Sequence, residues 1–150
     1  CGRIVCDRFV PADAIRAAGC EPVGFDDLLA RADIVSLHCP STPETRRVIG
    51  AGAIARMKPG AILVNLARGD LVETAALVAA LESGRIGAAA LDVCDPEPIP
   101  ADSPLRRLPG VTVASHVASA SPKAAARIAL AALRGERPPN VVNGVERPVA

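Results

Sequence analysis

Five short apolar runs recur along the chain, and each is followed at once by one polar residue of a kind that can do chemistry. The runs occupy residues 3–6, 33–37, 61–67, 87–91 and 111–115. The residues that follow them, 24 to 31 positions apart, are Asp7, His38, Arg68, Asp92 and His116. This spacing fits a strand, a crossover helix and two loops. The pattern predicts a parallel α/β sheet with these residues at the carboxyl edge of its strands, where open sheets bind ligands.

The segments between the runs carry helix signals. Residues 73–83 place Leu77, Val78 and Leu81 on one face, and Gly84 can end that helix. Acidic and proline signals predict further helices from residue 26, from residue 42, near residues 52–57 and over residues 122–134. Residues 21–25 are a candidate for a sixth, shorter strand, and residues 138–144 read as extended or turn-like.

Composition limits the partners. The 150 residues suit about one domain, and 17 Lys and Arg against 16 Asp and Glu leave no basic face for nucleic acid. No apolar run approaches the roughly 20 residues that cross a bilayer, so no membrane partner is expected. The five cysteines are odd in number and lack a C-x-x-C pair, which argues against a disulfide framework and a zinc site. We expect reduced thiols, a cytoplasmic location and no metal.

Asp7 ends the first predicted strand, a position that suits the recognition of a dinucleotide. A carboxylate there can accept hydrogen bonds from both ribose hydroxyls of the adenosine, and it would repel a 2′-phosphate. This interpretation favours NAD over NADP, although the adjacent Arg8 can accommodate a phosphate. The alternative is a solvated acid in a loop.

Three other residues suit acid–base chemistry on a small acid. The guanidinium of Arg68 can hold a carboxylate through two parallel hydrogen bonds. Glu97 lies between Pro96 and Pro98, which stiffen its backbone. Beside His116 it would stabilise the imidazolium for general acid–base catalysis at a carbonyl or carbinol. The alternatives are a surface arginine and a histidine that is hydrogen-bonded in a loop.

His38 and Cys39 stand beside Pro40 at the end of the second run. We interpret His38 as structural, because the proline shapes a loop that passes close to a ligand. Cys39 is interpreted as a backbone contact and not as a nucleophile, because nothing nearby in the sequence would activate its thiol.

Several segments together resemble the cofactor-binding domain of the D-isomer-specific 2-hydroxyacid dehydrogenases. They are ADIVSLHCP (32–40), TPETRRVI (42–49), MKPGAILVNLARGD (57–70), AAALDVCDPEP (88–98), ADSPLRRLP (101–109) and residues 111–116. With Asp7 they cover most of residues 3–121 in the family's order and spacing. The branch that contains phosphoglycerate dehydrogenases and C-terminal-binding-protein-like dehydrogenases is the most similar.

The resemblance implies a Rossmann-type doubly wound parallel sheet, NAD as cofactor, and hydride transfer between NAD(H) and C2 of a D-2-hydroxy acid or 2-keto acid. Arg68 would bind the substrate carboxylate, His116 would donate the proton and Glu97 would orient His116. The implied cofactor contacts are Asp7, Cys39, Pro40, Thr45, Leu66, Ala67, Arg68, Asp92, His116, Ala118 and Ser119. A full-length homodimer is also implied.

The chain departs from the family at its start, where the family's first strand, glycine-rich turn and first helix have no counterpart. Met57 is the only methionine, so we expect the chain to begin inside a longer one whose substrate domain lies upstream. Residues 1–121 would then be a partial NAD-binding domain, and residues 122–150 a helix and tail returning toward the substrate domain. Alone, the 150 residues would bind NAD poorly and not turn over. Two alternatives remain: a non-catalytic, NAD-responsive, corepressor-like binding protein, and an inactive fragment.

Overall fold

The structure is a computed structural model that describes residues 2–117, 130–131 and 134. Strands and helices alternate along its described part. The strands are β1 (Ile4–Val5), β2 (Glu21–Pro22), β3 (Ile34–Leu37), β4 (Ala61–Asn65), β5 (Ile86–Leu91) and β6 (Val111–Val113). The α-helices are α1 (Ala12–Ala17), α2 (Phe25–Arg31), α3 (Ala51–Arg56) and α4 (Thr74–Glu82). Short 3-10 turns cover Gly69–Leu71 and Pro104–Arg106.

All the strand pairs of the described residues are parallel, as the spacing predicted. β1 pairs with β2, and β3, β4, β5 and β6 form a four-stranded sheet in that order. The α/β class is therefore confirmed. Within the four-stranded sheet, His38, Arg68, Asp92 and His116 all follow the carboxyl ends of strands and so share one edge. Asp7 follows β1, which belongs to the separate pair and not to this sheet.

The core lies on one face of the four-stranded sheet, where the helices pack. Leu63 and Val111 are almost fully buried there, with Leu29 from α2, Ile54 from α3 and Leu77 from α4 in the same cluster. β3 is buried on one face only, since Ile34 and Ser36 are exposed while Val35 and Leu37 are buried. Val35 and Leu37 face the cluster that the helices cover, whereas the opposite face of β3 lies open in the part of the chain that the structure describes.

One helix expectation is wrong, and one helix was missed. No helix begins at Thr42, because the chain makes only turns there and Arg47 takes a left-handed φ of 52°. The Arg47 amide donates to the carbonyl oxygen of Asp70 at 2.8 Å, a contact between segments that a helix would not permit. In contrast, α1 was not predicted, because it buries only Ile15 and so leaves almost no apolar stripe in the sequence.

The remaining helices agree with the sequence at their ends to within about two residues, within the usual disagreement at helix ends. α2 carries Asp26 and Asp27 in its first turn, and α4 ends before Gly84, whose φ is +71°. The expected helix over residues 122–134 and the tail at 138–144 lie largely outside the described residues. In the part of the chain that the structure describes, every helix is too short or too polar to cross a bilayer.

Candidate active site at the carboxyl edge of the sheet

His116 and Glu97 form a direct side-chain pair at this edge. Nδ1 of His116 lies 2.8 Å from Oε1 of Glu97, and the two side chains are 41% and 42% exposed. His116 follows β6, whereas Glu97 comes from the proline-flanked segment after β5. Because Nδ1 is engaged by the carboxylate, Nε2 is the ring nitrogen left to meet a ligand.

Asp92 holds the backbone that carries His116. Its carbonyl oxygen accepts the His116 amide at 2.9 Å, and its Oδ1 accepts the Val117 amide at 2.9 Å. Asp92 is only 3% exposed. His116 has a φ of 56°, a left-handed conformation that costs a non-glycine residue about 1–3 kcal/mol unless its surroundings hold it. The two bonds from Asp92 supply that restraint.

Arg68 is presented by a turn that the buried side chain of Asn65 closes. Nδ2 of Asn65 donates to the Arg68 carbonyl oxygen at 2.8 Å, and its Oδ1 accepts the Ala67 amide at 3.1 Å. Arg68 itself is exposed, and Nη1 donates to the Ala67 carbonyl oxygen at 2.7 Å. Asn65 was not among the site residues predicted from the sequence. Its signal was available, because it is the only polar residue inside the apolar run at 61–67.

The loop after β3 is tied to the segment that follows Arg68. Oγ of Ser41 donates to Oδ2 of Asp70 at 2.7 Å. Within the loop, Oγ1 of Thr45 donates to the carbonyl oxygen of Pro40 at 2.8 Å. Cys39 is partly buried against the core. The structure therefore brings the predicted cofactor contacts of this loop to the edge that carries Arg68, and their contact with a cofactor stays a prediction.

Asp7 closes its own loop after β1. Its Oδ1 accepts the amides of Phe9 and Val10 at 2.8 and 3.1 Å, which sets the direction of the carboxylate. The Arg8 guanidinium stacks on the Phe9 ring, 5.0 Å from its centroid. Asp7 thus combines a structural role with an exposed position at a strand end, and its predicted binding of a ribose is not tested by these contacts.

Leu66 lines a small, mostly apolar cleft between the ends of the central strands. Val64, Leu91, Asp92 and Ala114 line it as well. Ala67, the next predicted contact, has both its amide and its carbonyl group engaged in the turn around Arg68. The last two predicted contacts, Ala118 and Ser119, lie outside the described residues.

Cys94 lies close to this site without being reactive. Its burial, followed by the charges of Glu97 and Asp92, raises the pKa of the thiol to about 11. A thiol with that pKa stays protonated near neutral pH and is a poor nucleophile. Among the residues that the structure describes, no group of three or more His, Cys, Asp and Glu side chains could hold a metal ion.

The chain is similar to known proteins of one family. Residues 1–118 match the family model of the D-isomer specific 2-hydroxyacid dehydrogenase, NAD binding domain. A glyoxylate reductase of Korarchaeum cryptofilum is 46% identical over 138 residues, which are 87% of this chain and 42% of the relative. A D-3-phosphoglycerate dehydrogenase of Mycobacterium leprae is 44% identical over 147 residues, 93% of this chain and 28% of the relative.

The solved structures agree with the sequence relatives. The crystal structure of a D-lactate dehydrogenase with NAD+ from Lactobacillus jensenii superposes with a TM-score of 0.74 at 35% identity. That match covers 94% of this chain and 48% of the other. The chain thus spans less than half the length of each of these relatives. The Rossmann-type fold, the family and its cofactor NAD, as inferred from the sequence, are confirmed at the level of the domain.

Proposed function

The chain belongs to the NAD-binding domains of the D-isomer-specific 2-hydroxyacid dehydrogenase family, and on that premise we propose that the whole protein is an oxidoreductase that acts on a D-2-hydroxy acid or its 2-keto acid. The observation that carries the proposal is the 2.8 Å contact between His116 and Glu97. It lies at the same sheet edge as Arg68, with Asp92 following the strand between them. A cation for a carboxylate and a proton donor for a carbonyl therefore share one edge.

Each residue of the site has a different chemical role. The Arg68 guanidinium binds the carboxylate of the acid and polarises the neighbouring C2 oxygen. NADH, when bound, supplies the hydride that reduces C2. The protonated ring of His116 gives its Nε2 proton to the C2 oxygen. Nδ1 keeps its own proton, which it donates in the hydrogen bond to Glu97. Because Glu97 balances the imidazolium charge, the ring keeps the orientation and the proton that this transfer needs.

The described residues fit a dinucleotide. Asp7 presents a carboxylate at a strand end, which suits ribose hydroxyls. Cys39, Pro40 and Thr45 lie in the loop after β3 at the carboxyl end of the sheet. Leu66 adds apolar lining to the cleft beside Asp92. Such an edge, apolar with a few polar groups, is typical of a dinucleotide site.

The experiment that tests this function is turnover by the whole protein. A panel of glyoxylate, pyruvate and 3-phosphohydroxypyruvate with NADH should show NADH oxidation with at least one acid. Arg68→Lys should lower kcat/KM by about 10- to 100-fold, because an ammonium cannot reproduce the planar fork of two hydrogen bonds.

Arg16→Lys is the matched control, since Arg16 lies on α1 and pairs with Asp13 inside that helix. It should keep the activity of the unaltered protein. An Arg68→Lys variant that is as active as Arg16→Lys would contradict the assigned role, and no NADH oxidation with any acid of the panel would contradict the proposed function.

Three further features stay predictions for the whole protein. They are a homodimeric assembly, a cytoplasmic location, and the division into a domain at 1–121 and a helix with tail at 122–150. Size-exclusion chromatography with light scattering on the whole protein tests the first of them.

A further inference from the structure

We propose that Asn65 is a positioning residue for acid recognition, because its side chain fixes the turn that presents Arg68. The inference rests on the proposed function in one respect only, the role of Arg68 as the group that binds the carboxylate. Asn65 is the last residue of β4 and is 1% exposed. It therefore does not meet the substrate itself, and any effect that it has on the acid passes through the turn.

The contacts of the Asn65 amide are matched to the turn. Its Nδ2 donates a hydrogen bond to the carbonyl oxygen of Arg68, and its Oδ1 accepts one from the amide of Ala67. An asparagine supplies both a donor and an acceptor on one short side chain, which an apolar residue at this buried position cannot do. Without that amide the two backbone groups lose these partners, and a buried backbone group without a partner moves toward water. The turn around Arg68 would then shift.

The main chain of Asn65 reaches the other half of the site. Its carbonyl oxygen accepts the Asp92 amide at 2.9 Å, and the Asp92 carbonyl oxygen accepts the His116 amide at 2.9 Å. One hydrogen-bonded series thus joins the turn of Arg68 to the segment of His116. The side chain of Asn65 serves only the Arg68 end of this series. A side-chain substitution should therefore weaken binding of the acid while the proton donor keeps its place.

The first test is a kinetic comparison of two variants of the whole protein, Asn65→Ala and Asn65→Ser, with glyoxylate and NADH. Asn65→Ala should raise the KM for glyoxylate by about 10- to 100-fold, since a displacement of about 1 Å is enough for losses of that size. The KM for NADH and the shape of the pH–rate profile should stay as in the unaltered protein. Asn65→Ser keeps one short polar group and should give a smaller rise.

Leu63→Val is the matched control. Leu63 is fully buried two residues earlier in the same strand, and the substitution removes one methylene group away from the turn. It should lower thermal stability without raising the KM for glyoxylate. If the Asn65 variants raise the two KM values equally, or leave the KM for glyoxylate at that of Leu63→Val, the positioning role is overturned.

Hydrogen exchange separates this inference from the proposed function. The Ala67 amide should exchange faster in Asn65→Ala than in Leu63→Val, while the His116 amide exchanges at an unchanged rate. If the unaltered protein turns over no 2-keto acid, the proposed function fails, yet the exchange at Ala67 still decides whether Asn65 holds the turn. Unchanged protection of Ala67 in Asn65→Ala would overturn the inference with or without activity.

Discussion

At the scale of single residues, the site depends on groups whose neighbours come from distant parts of the chain. Glu97 and His116 are 19 residues apart in sequence, and Asp92 meets Val117 across 25. Each of these contacts gives a side chain one defined partner. The ring of His116 is held by Glu97 through Nδ1, and its backbone is held by Asp92. Substitutions that remove a charge but keep the shape are therefore the most informative.

Glu97→Gln is expected to lower kcat for reduction of a 2-keto acid by about 10- to 100-fold in the whole protein. The amide keeps a hydrogen-bond acceptor for Nδ1 but carries no charge. The imidazolium that donates the proton to the substrate is therefore less stabilised. Steady-state kinetics at several pH values check this. Glu82→Gln, at the exposed end of α4, is the control, and equal kcat values for the two variants would contradict the role of Glu97.

Cys94 is expected to resist alkylation by iodoacetamide at pH 8. Because burial raises its pKa to about 11, only about a thousandth of this thiol is thiolate at that pH. Peptide mapping should find the exposed Cys6 labelled before Cys94 in the folded protein. In urea the difference should vanish, since burial is its main cause. Labelling of Cys94 at the rate of Cys6 under native conditions would be inconsistent with the structure.

At the scale of elements, the contact between the turn at Gly69–Leu71 and the segment after β5 brings two parts of the site together. A side chain at Gly69 would place its Cβ 2.0 Å from the carbonyl oxygen of Cys94, closer than any real contact. Thr74, the first residue of α4, also donates through Oγ1 to the carbonyl oxygen of Asp95 at 2.8 Å. The glycine is thus needed for a close approach of two backbones.

Gly69→Ala is therefore expected to lower the free energy of unfolding by about 1–3 kcal/mol, as overpacking of a filled site does. It should also lower activity with 2-keto acids, because Gly69 directly follows Arg68. Denaturant unfolding measures the first effect. Gly52→Ala is the matched control, since nothing lies within 4 Å of a Cβ there and the residue is in α3.

The control should stabilise the protein by about 0.5–1 kcal/mol, because alanine suits a helix better than glycine does. If Gly69→Ala unfolds at the same denaturant concentration as Gly52→Ala, that result would contradict the close approach of the Gly69 and Cys94 backbones.

At the scale of the whole molecule, an ion pair connects β2 to the helix that follows it. Arg31 of α2 contacts Glu21 of β2 at 2.7 Å and Asp27 of its own helix at 2.8 Å. Glu21 belongs to the separate strand pair, whereas α2 packs with α3 against the four-stranded sheet. Arg31 is thus one of the links between the strand pair and the rest of the described fold.

This link predicts a pH-dependent stability. The hydrogen bond from Arg31 lowers the pKa of Glu21, so the pair stabilises the fold above the ordinary pKa of a glutamate. That contribution is lost as the pH falls through the lowered pKa. Glu21→Gln should therefore lower the melting temperature slightly at pH 7, and the difference from the unaltered protein should shrink as the pH falls below about 4.

Asp13→Asn is the control, because among the described residues Asp13 forms its ion pair with Arg16 of its own helix, α1. Thermal unfolding followed by circular dichroism at pH 7 and at low pH measures both variants. A Glu21→Gln difference that stays constant over the whole pH range would show that the Glu21 charge is not the cause.

Local patterns were enough for the order of the strands, for helices α2, α3 and α4, and for the polar residues that follow the five apolar runs. The run at 61–67, with Arg68 behind it, predicts a buried strand and a polar strand end, because burial of alternating or continuous apolar residues is encoded over a few positions. The same patterns failed for α1 and for the segment from Thr42. After Thr42, contacts with distant residues outweigh a weak local preference, as the bond from Arg47 to Asp70 does, whereas α1 buries only Ile15 and so leaves little apolar pattern in the sequence.

Most contacts between segments that are distant in the sequence are seen only in the tertiary structure. The sequence predicted that Glu97 lies beside His116, but no local signal indicates that Asn65 turns its amide toward Arg68 or that Gly69 lies against Cys94. The division between β1–β2 and the four-stranded sheet is of the same kind. Such pairings depend on how strands and loops pack across the sheet, and the free energy that selects them arises from burial and hydrogen bonding among residues that are far apart in the sequence.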